Sequence, residues 1–461
     1  MGIIDKTSLG VKNYYKSIEQ ICNEYDIKGC NFTFLEDKNG YTVNGVGKNI
    51  EIGISSEKYI FRAFSCVIEN IGKESFSISQ KCTFENLAFW VDCSRDAVLK
   101  TDTIFSIIRK IALLGYNRLY IYMEDTFEVE NEPYFGHLRG RYSSEELDLI
   151  NDYAKQYFIE VIPATQALAH LDNIFLWPKY EKIWDVKDIF LVDNDDTYKL
   201  IDNMISTLSK HFDSEYIHIG FDEAQQVGTG RYLENHNFTD KLTLLLRHLN
   251  KVSEIAKKYG KKIQLWSDMF LHLIFDSNGK VKKGVSIDYV KSLIPDNAEL
   301  VLWNYYMSKE SDYDIIIKRQ SVLSEQINFA GGAWKWLGYV PMNKYGLQRI
   351  YPSLKSITKN SVQNYILTSW GDNGGECPIF SVIPQIVNVS EFAYSKEFNI
   401  EAIKQKTRAI FNCEYEDLLK LDIPNGYKNK SGKILTRICL SQSTMTTLWK
   451  KNAAVKYMVT I

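Results

Sequence analysis

Residues 216–223 read Tyr-Ile-His-Ile-Gly-Phe-Asp-Glu, an apolar run that predicts a short, fully buried strand ending near a glycine. Two adjacent carboxylates, Asp222 and Glu223, follow at the point where this strand ends. Neighbouring strand residues point to opposite faces, so two side chains that act together require the strand to end before them. Capping of the next helix would explain one carboxylate. It would not explain the second one, or His218 inside the strand.

Alternating strand and helix patterns surround this stretch from about residue 84 onward. The predicted strands cover 87–92, 118–123, 159–163, 215–220, 263–266, 299–303, 326–331 and 364–369, with helical patterns between them. Eight such units in about 310 residues predict an α/β fold of the (β/α)8, or TIM barrel, type. A doubly wound dinucleotide-binding fold fits less well, because no Gly-x-Gly-x-x-Gly motif follows a predicted strand.

The segments on either side of the barrel differ from it in pattern. Residues 1–83 predict a small α+β domain with a helix over 12–24 and strands over 41–46, 50–54 and 59–68. The barrel itself is expected over 84–395. Residues 396–461 predict a helical C-terminal segment with helices over 400–411 and 415–421, and its last residues carry no helix stop, so truncation stays open.

The composition argues against several classes of protein. The chain is 45% hydrophobic and 24% charged, as in globular proteins, and its net charge of −2 gives no electrostatic case for nucleic acid or an anionic membrane as a partner. No basic-then-apolar segment opens the sequence and no apolar run approaches a membrane span, so we expect a cytoplasmic protein unless a signal has been trimmed. The eight cysteines form no Cys-x-x-Cys pair or Cys/His cluster, so structural zinc and a disulfide scaffold are not expected.

Polar and aromatic residues collect at the C-terminal ends of the predicted strands, where barrel enzymes carry their chemistry. In chain order they are Asp92 and Arg95, Glu124 and Asp125, Gln166 and His170, Asp222 and Glu223, Trp266 and Asp268, Trp303 to Tyr306, Trp334 and Trp336, and Trp370, Asp372 and Glu376. Tryptophans at four consecutive strand ends, each near polar side chains, predict an aromatic-lined pocket for a neutral, hydroxyl-rich ligand. The number of carboxylates there argues against an acidic substrate.

The segment from His218 to Glu223 resembles the His-x-Gly-x-Asp-Glu element of the family 20 glycoside hydrolases, the β-N-acetylhexosaminidases. Glu124-Asp125-Thr126, Trp266-Ser267-Asp268 and Trp370-Gly371-Asp372 resemble further elements of that family, in the same order, and the resemblance covers roughly residues 84 to 395. It implies an exo-acting hydrolase that removes terminal β-linked N-acetylglucosamine, or N-acetylgalactosamine, from a glycan. It also implies retention by substrate assistance, through an oxazolinium intermediate, with no metal or cofactor.

This chemistry suits a pair of adjacent carboxylates. Most retaining glycosidases need two carboxylates about 5 Å apart on opposite sides of the bond, and sequence neighbours rarely straddle a sugar in that way. By resemblance, Glu223 is the acid/base and Asp222 orients the acetamido nitrogen. We then expect Glu223 to be protonated at rest and Asp222 to stay ionised. Tyr305, with Tyr306 as the competing choice, is expected to bind the acetamido carbonyl oxygen.

The resemblance also implies a set of substrate-binding side chains: Trp266, Trp303, Trp336, Trp370, Asp372 and, more weakly, Glu376. The tryptophans at 266, 303 and 370 would line the acetamido pocket, with ordinary barrel packing as the alternative for each. The carboxylates would bind the outer hydroxyls of the sugar. His170 would support the general acid together with Glu124 or Asp125, although a buried structural histidine explains it equally well. His218 is expected to be structural.

Two departures from the family pattern set this chain apart. Many members carry Arg-Gly at the start of the first barrel strand, where the arginine binds sugar hydroxyls, but this chain has Leu87-Ala88. Asp92 or Arg95 would have to hold those hydroxyls, which leaves the choice between gluco and galacto sugars open. The segment 167–170 reads Ala-Leu-Ala-His in place of the more usual Pro-Gly-His. Both departures resemble a divergent, often intracellular subgroup that includes hexosaminidase D.

Two other functions stay open. A sugar-binding protein on an inactive barrel would need no general acid, so the two carboxylates count against it. A metal-dependent barrel enzyme would use strand-end Asp and Glu side chains as Mg²⁺ or Mn²⁺ ligands. The tryptophans make this second alternative the least favoured.

Overall fold

A five-stranded sheet and a closed parallel barrel make up the computed structural model of the chain, which describes residues 1–95, 97–337, 339–372 and 376–426. The strands of the first unit are β1 (Gly2–Lys6), β2 (Asn31–Glu36), β3 (Tyr41–Val46), β4 (Asn49–Ile54) and β5 (Ser75–Gln80), and its helices are α1 (Tyr15–Glu24) and α2 (Ile60–Asn70). The strand order is β1-β2-β4-β3-β5. β1, β2 and β4 run parallel, whereas β3 pairs antiparallel with β4 and β5.

The prediction of a strand over 59–68 is wrong, because these residues form most of α2. Ile60, Phe61, Phe64 and Val67 recur at helical spacing, and all four are buried. Short apolar runs fit a helix as well as a strand, and burial of almost every residue in this one hides its helical periodicity. The helix packs against the barrel. Its Arg62 forms a buried ion pair with Glu391, which lies in the last helix of the barrel.

The barrel confirms the predicted (β/α)8 fold. Its strands are β6 (Asn86–Asp92), β7 (Arg118–Glu124), β8 (Glu160–Thr165), β11 (Tyr216–His218), β12 (Lys262–Trp266), β13 (Ala298–Trp303), β14 (Asn328–Gly332) and β15 (Asn364–Ser369), while β9 (Trp184–Val186) and β10 (Ile189–Phe190) form a small antiparallel ribbon after β8. All eight barrel strands lie within two residues of their predicted bounds. Every neighbouring pair is parallel, and β15 pairs with β6 to close the barrel. The C-terminal ends of the strands therefore meet at one opening.

Helices surround the barrel and continue beyond it. They are α3 (Thr101–Leu113), α4 (Ser144–Lys155), α5 (Asp195–His211), α6 (Arg231–Asn235), α7 (Lys241–Lys258), α8 (Asp268–Ile274), α9 (Ile287–Leu293), α10 (Glu310–Gln320), α11 (Asn343–Lys359), α12 (Ile383–Ser395), α13 (Ile400–Phe411) and α14 (Tyr415–Lys420). The last two confirm the predicted helical segment. Its remaining part, 427–461, lies outside the described residues. Within the described ranges, no helix is both long and apolar enough to cross a bilayer, and no three His, Cys, Asp or Glu side chains converge on a possible metal position.

Candidate active site

The backbone after β11 turns sharply and carries the two neighbouring carboxylates to the opening of the barrel. β11 ends at His218, and Gly220 and Glu223 adopt positive φ values of 71° and 53°. A Cβ at residue 220 would lie 1.8 Å from Gln166 Oε1, so glycine is required there. Because the strand stops before the pair, Asp222 and Glu223 lie in one loop at the ends of the barrel strands.

The Asp222 carboxylate is held in its ionised form. Its side chain is only 13% exposed, Gln166 Nε2 donates to Oδ1 at 3.0 Å, and His170 Nε2 lies 3.2 Å from Oδ2. Burial alone would raise the pKa of Asp222, but the charge and hydrogen bond of His170 and the Gln166 amide together hold that pKa well below its ordinary value. Burial likewise opposes the charge of the imidazole, yet Asp222 overcomes it and raises the pKa of His170 to about 9. At neutral pH the two side chains form an ion pair.

We expect the His170–Asp222 ion pair to stabilise the fold at neutral pH and to lose this effect in alkali. The pKa of histidine in an unfolded chain is about 6.5, whereas that of His170 is raised to about 9 in the fold. The stabilisation is therefore fully present below about pH 6.5 and disappears as the pH rises through about 9. His170→Asn should lower the free energy of unfolding by on the order of 2 kcal/mol near pH 6.5 and by much less near pH 10.

Urea unfolding of both proteins at the two pH values measures this difference. His272 of α8 is exposed and provides the control, because His272→Asn should leave the free energy of unfolding unchanged at either pH. If His170→Asn lowers the free energy of unfolding equally at the two pH values, the result would contradict a charged His170–Asp222 pair.

The Glu223 side chain faces the opening. It is 54% exposed, and its Oε2 lies 3.8 Å from His170 Nε2. The backbone N–H of Glu223 donates to Asp268 Oδ2 at 3.2 Å. Both carboxylates of the pair therefore approach one imidazole, but the Glu223 carboxylate is much the more open to an incoming molecule. Its protonation at rest stays a prediction.

In the described part of the chain, the acidic residues at the C-terminal end of β7, Glu124 and Asp125, make no hydrogen bond to this imidazole. Arg139 Nη2 is 3.1 Å from Asp125 Oδ1 and 3.9 Å from Glu124 Oε2. Burial raises the pKa of Asp125 to about 6, and the Arg139 charge opposes that shift. The backbone N–H of His170 donates to Asp188 Oδ2 at 3.2 Å. The structure does not bring Glu124 or Asp125 into hydrogen-bond distance of His170.

Arg95 lies between Glu124 and Asp372. Its Nη1 is 2.9 Å from Asp372 Oδ1, its Nε is 3.2 Å from Glu124 Oε1, and its guanidinium carbon is 5.2 Å from the centre of the Trp370 ring. Asp92 differs, because both of its carboxylate oxygens accept backbone N–H groups at the ends of β6 and β15. Arg95 and Asp92 were the two candidates for the role of the missing arginine. The Arg95 side chain lies beside Asp372, whereas the Asp92 side chain links the ends of two strands.

Aromatic side chains gather around Tyr305. Tyr305 is 6% exposed, whereas Tyr306 is 54% exposed. Trp370 Nε1 donates to the Tyr305 hydroxyl at 3.0 Å. The Trp303 ring stacks on Tyr305 with centroids 5.1 Å apart, and the Trp336 ring meets it at 5.5 Å. The structure thus buries Tyr305 within the aromatic cluster and leaves Tyr306 at its exposed edge, 5.5 Å from the Trp334 ring.

Other predicted residues lie deeper or further out. Trp266 is 1% exposed, and its ring packs 5.2 Å from Trp90, which is fully buried and also 5.0 Å from Trp370. His218 lies 4.4 Å from the Trp266 ring, and burial lowers the pKa of His218 to about 3, so the imidazole is neutral. Glu376 is exposed in the segment after β15. Trp266 therefore lies within the floor of the opening, not at its surface.

Four side chains at this site were assigned no role from the sequence: Trp90, Gln166, Asp188 and Asp268. Gln166 and Asp268 carry a usable signal, since Gln166 directly follows β8 and Asp268 lies two residues after β12. Trp90 lies inside β6 and its pattern is that of ordinary strand core. Asp188 lies in the turn between β9 and β10, where no motif marks it.

Comparison with known proteins gives four findings. Residues 84–320 match the family model described as "Glycosyl hydrolase family 20, catalytic domain". "Hexosaminidase D" of Bos taurus is 25% identical over 277 residues, which cover 56% of this chain and 72% of the bovine protein. "Hexosaminidase D" of Homo sapiens is 25% identical over 271 residues, and the match spans 51% of the human protein, about half of its length. The crystal structure of the β-N-acetylhexosaminidase from Bacteroides fragilis has a TM-score of 0.69 at 18% identity, covering 89% of this chain and 92% of that one.

Proposed function

Because the chain belongs to glycosyl hydrolase family 20 and is a glycoside hydrolase of the β-N-acetylhexosaminidase type, we propose that it removes terminal, non-reducing β-linked N-acetylhexosamine from glycans with retention of configuration. The comparisons confirm the resemblance seen in the sequence, including the likeness to hexosaminidase D. We propose substrate assistance as the mechanism, with the 2-acetamido oxygen of the substrate as the nucleophile.

The contrast between the two adjacent carboxylates carries this proposal. Asp222 is buried and bonded to Gln166 and His170, so it is poorly placed to attack a sugar carbon. Glu223 is half-exposed and faces the opening. An enzymic nucleophile would require a second open carboxylate about 5 Å away across the bond. The exposed Glu223 carboxyl suits proton donation to the leaving group. The fixed negative charge of Asp222 beside it suits stabilisation of the positive charge that develops on the acetamido group.

The proposed reaction has two steps. First, the acetamido carbonyl oxygen attacks C1 while Glu223 donates its proton to the glycosidic oxygen, so that the C1–O bond breaks and an oxazolinium ion remains. The ionised Asp222 accepts the acetamido N–H and stabilises the positive charge as it develops. In the second step, Glu223 takes a proton from water, and the water oxygen attacks C1 and reopens the ring. Two inversions at C1 give net retention.

The surrounding side chains support roles in binding. Trp370 Nε1 donates to the Tyr305 hydroxyl oxygen, and we assign the Tyr305 O–H to the acetamido carbonyl oxygen, in competition with the neighbouring Thr368 hydroxyl. Arg95 and Asp372 lie 2.9 Å apart at the edge of the aromatic cluster, and we assign them to the outer hydroxyls of the sugar. A charged donor and acceptor side by side suit either orientation of the hydroxyl at C4. The proposed substrates therefore include N-acetylgalactosamine as well as N-acetylglucosamine.

The test compares an aryl β-N-acetylglucosaminide with the matching β-glucoside, which differs only at C2. We expect kcat/KM to be at least about 10³-fold lower for the glucoside, because it lacks the internal nucleophile and its effective molarity. Equal cleavage of the two substrates would indicate an enzymic nucleophile and overturn the mechanism. Cleavage of neither would favour a sugar-binding barrel, and loss of cleavage on addition of a chelator would favour the metal-dependent alternative.

A further inference from the structure

A third carboxylate, that of Asp268, lies against the backbone of the proposed acid. Asp268 is the first residue of α8, two residues after the end of β12, and it is 9% exposed. Its Oδ2 accepts the backbone N–H of Glu223 at 3.2 Å. Its Oδ1 is buried and meets no donor with hydrogen-bond geometry in the described part of the chain, although the neighbouring Trp303 side chain favours the ionised form. One oxygen of this buried group is thus engaged by the catalytic loop.

The position of Asp268 is unfavourable unless it serves a purpose. Burial raises the pKa of Asp268 to about 7, and the charge of Asp222 adds to the rise. A buried carboxyl next to an ionised one destabilises a fold, and an apolar residue would avoid that cost. Stabilisation of the α8 N-terminus is the simplest structural explanation. However, α8 has only seven residues, and the hydrogen bond that Asp268 accepts comes from Glu223 and not from its own helix.

Glu223 needs an anchor, because little else fixes it. Its side chain is half-exposed, and its φ of 53° lies in the left-handed region that a Cβ disfavours. Phe221, two residues earlier, has a φ of 78°, so the whole turn is unfavourable for ordinary residues. Such a conformation persists only where the surroundings determine it. The Asp268 carboxylate helps to determine this conformation by accepting the backbone N–H of Glu223.

We propose that Asp268 is a positioning residue for the general acid, which holds the Glu223 backbone by its N–H and so aims the Glu223 carboxyl at the leaving-group oxygen. This inference rests on the function proposed above, in which Glu223 donates the proton. Loss of Asp268 then weakens proton donation, while Tyr305 and the aromatic rings other than Trp303, which neighbours Asp268, keep their contacts.

The test uses Asp268→Ala and two N-acetylglucosaminides, a disaccharide with a poor leaving group and an activated aryl glycoside. We expect kcat for the disaccharide to fall by about 10- to 100-fold, and kcat for the aryl glycoside by about threefold or less, because only the former needs a well-placed proton. Asp268→Asn keeps an acceptor oxygen for the Glu223 N–H and should recover most of the disaccharide activity. If Asp268→Ala does not fold, Asp268→Ser takes its place, since a hydroxyl still suits a helix N-terminus but is too short to reach Glu223.

Asp288→Ala provides the matched control, because Asp288 occupies the first turn of the next helix, α9, and is exposed. It should leave both activities unchanged. Equal losses on the two substrates for Asp268→Ala, or no recovery in Asp268→Asn, would overturn the positioning role and leave a structural one. If the wild-type protein cleaves neither substrate, the proposed function itself fails. If Glu223→Gln lowers the activity on the disaccharide more than that on the aryl glycoside, but Asp268→Ala lowers both equally, only the positioning role of Asp268 fails.

Discussion

Glu223→Gln is expected to lower kcat/KM for a disaccharide by about 10²- to 10⁴-fold, the range that a general acid contributes. The effect on an activated aryl N-acetylglucosaminide should be on the order of tenfold, because its leaving group departs without a proton. Glutamine preserves the size and the backbone of Glu223 but has no acidic proton. The variant therefore removes proton transfer and leaves the half-exposed position of the side chain intact.

Initial rates on the two substrates, measured side by side, give the ratio that matters. Glu234 of α6 follows the same barrel strand and is exposed, so Glu234→Gln is a control for loss of a nearby negative charge. It should leave both rates within about twofold of the wild type. A loss in Glu223→Gln that is the same for both leaving groups would show that this residue is not the acid.

Asp222→Asn is expected to lower kcat by about 10²- to 10³-fold, with KM changed by about threefold or less. The aspartate charge matters most when the acetamido group cyclises and becomes positive, so its contribution is larger in the transition state than in the bound substrate. Asparagine keeps the shape of the side chain but loses the charge that pairs with His170. The defect should therefore appear in turnover.

Steady-state kinetics on the aryl N-acetylglucosaminide separate the two parameters. Asp172 is exposed two residues beyond His170, and Asp172→Asn tests whether loss of any carboxylate in this region is enough. It should retain both constants. A large rise in KM with kcat preserved in Asp222→Asn would mean that Asp222 binds the ground state, and would contradict the orienting role.

The barrel was predictable because parallel strands buried on both faces produce apolar runs of strand length at regular intervals. The first unit was harder to predict. Residues 59–68 are apolar at nearly every position, so neither helical nor strand periodicity stands out, and the strand assignment was wrong. β1, β2 and β5 went unrecognised although β3 and β4 are of similar length, and β1 and β5 have no fully buried residue. Packing against other elements, not local pattern, decides these segments.

At the site, sequence patterns indicated which residues lie near the opening but not how they pair. His170 pairs with Asp222, and its backbone donates to Asp188, a residue with no motif of its own. Tyr305 and Tyr306 are equivalent in the sequence, and only the folded structure shows that the first is buried in the aromatic cluster and the second exposed. Such pairings join residues far apart in the chain. The assigned roles of the predicted residues stay predictions that the variants above will test.

The gathering of indole rings has a practical consequence for spectroscopy. Of the nine tryptophans in the sequence, six lie together at the opening or directly beneath it: Trp90, Trp266, Trp303, Trp334, Trp336 and Trp370. Indole emission responds to water and to neighbouring dipoles, so the intrinsic fluorescence of this chain reports mainly on one place. A sugar that displaces water from the more open rings should change that emission. Titration of unlabelled protein can therefore measure affinity even in variants that no longer turn over.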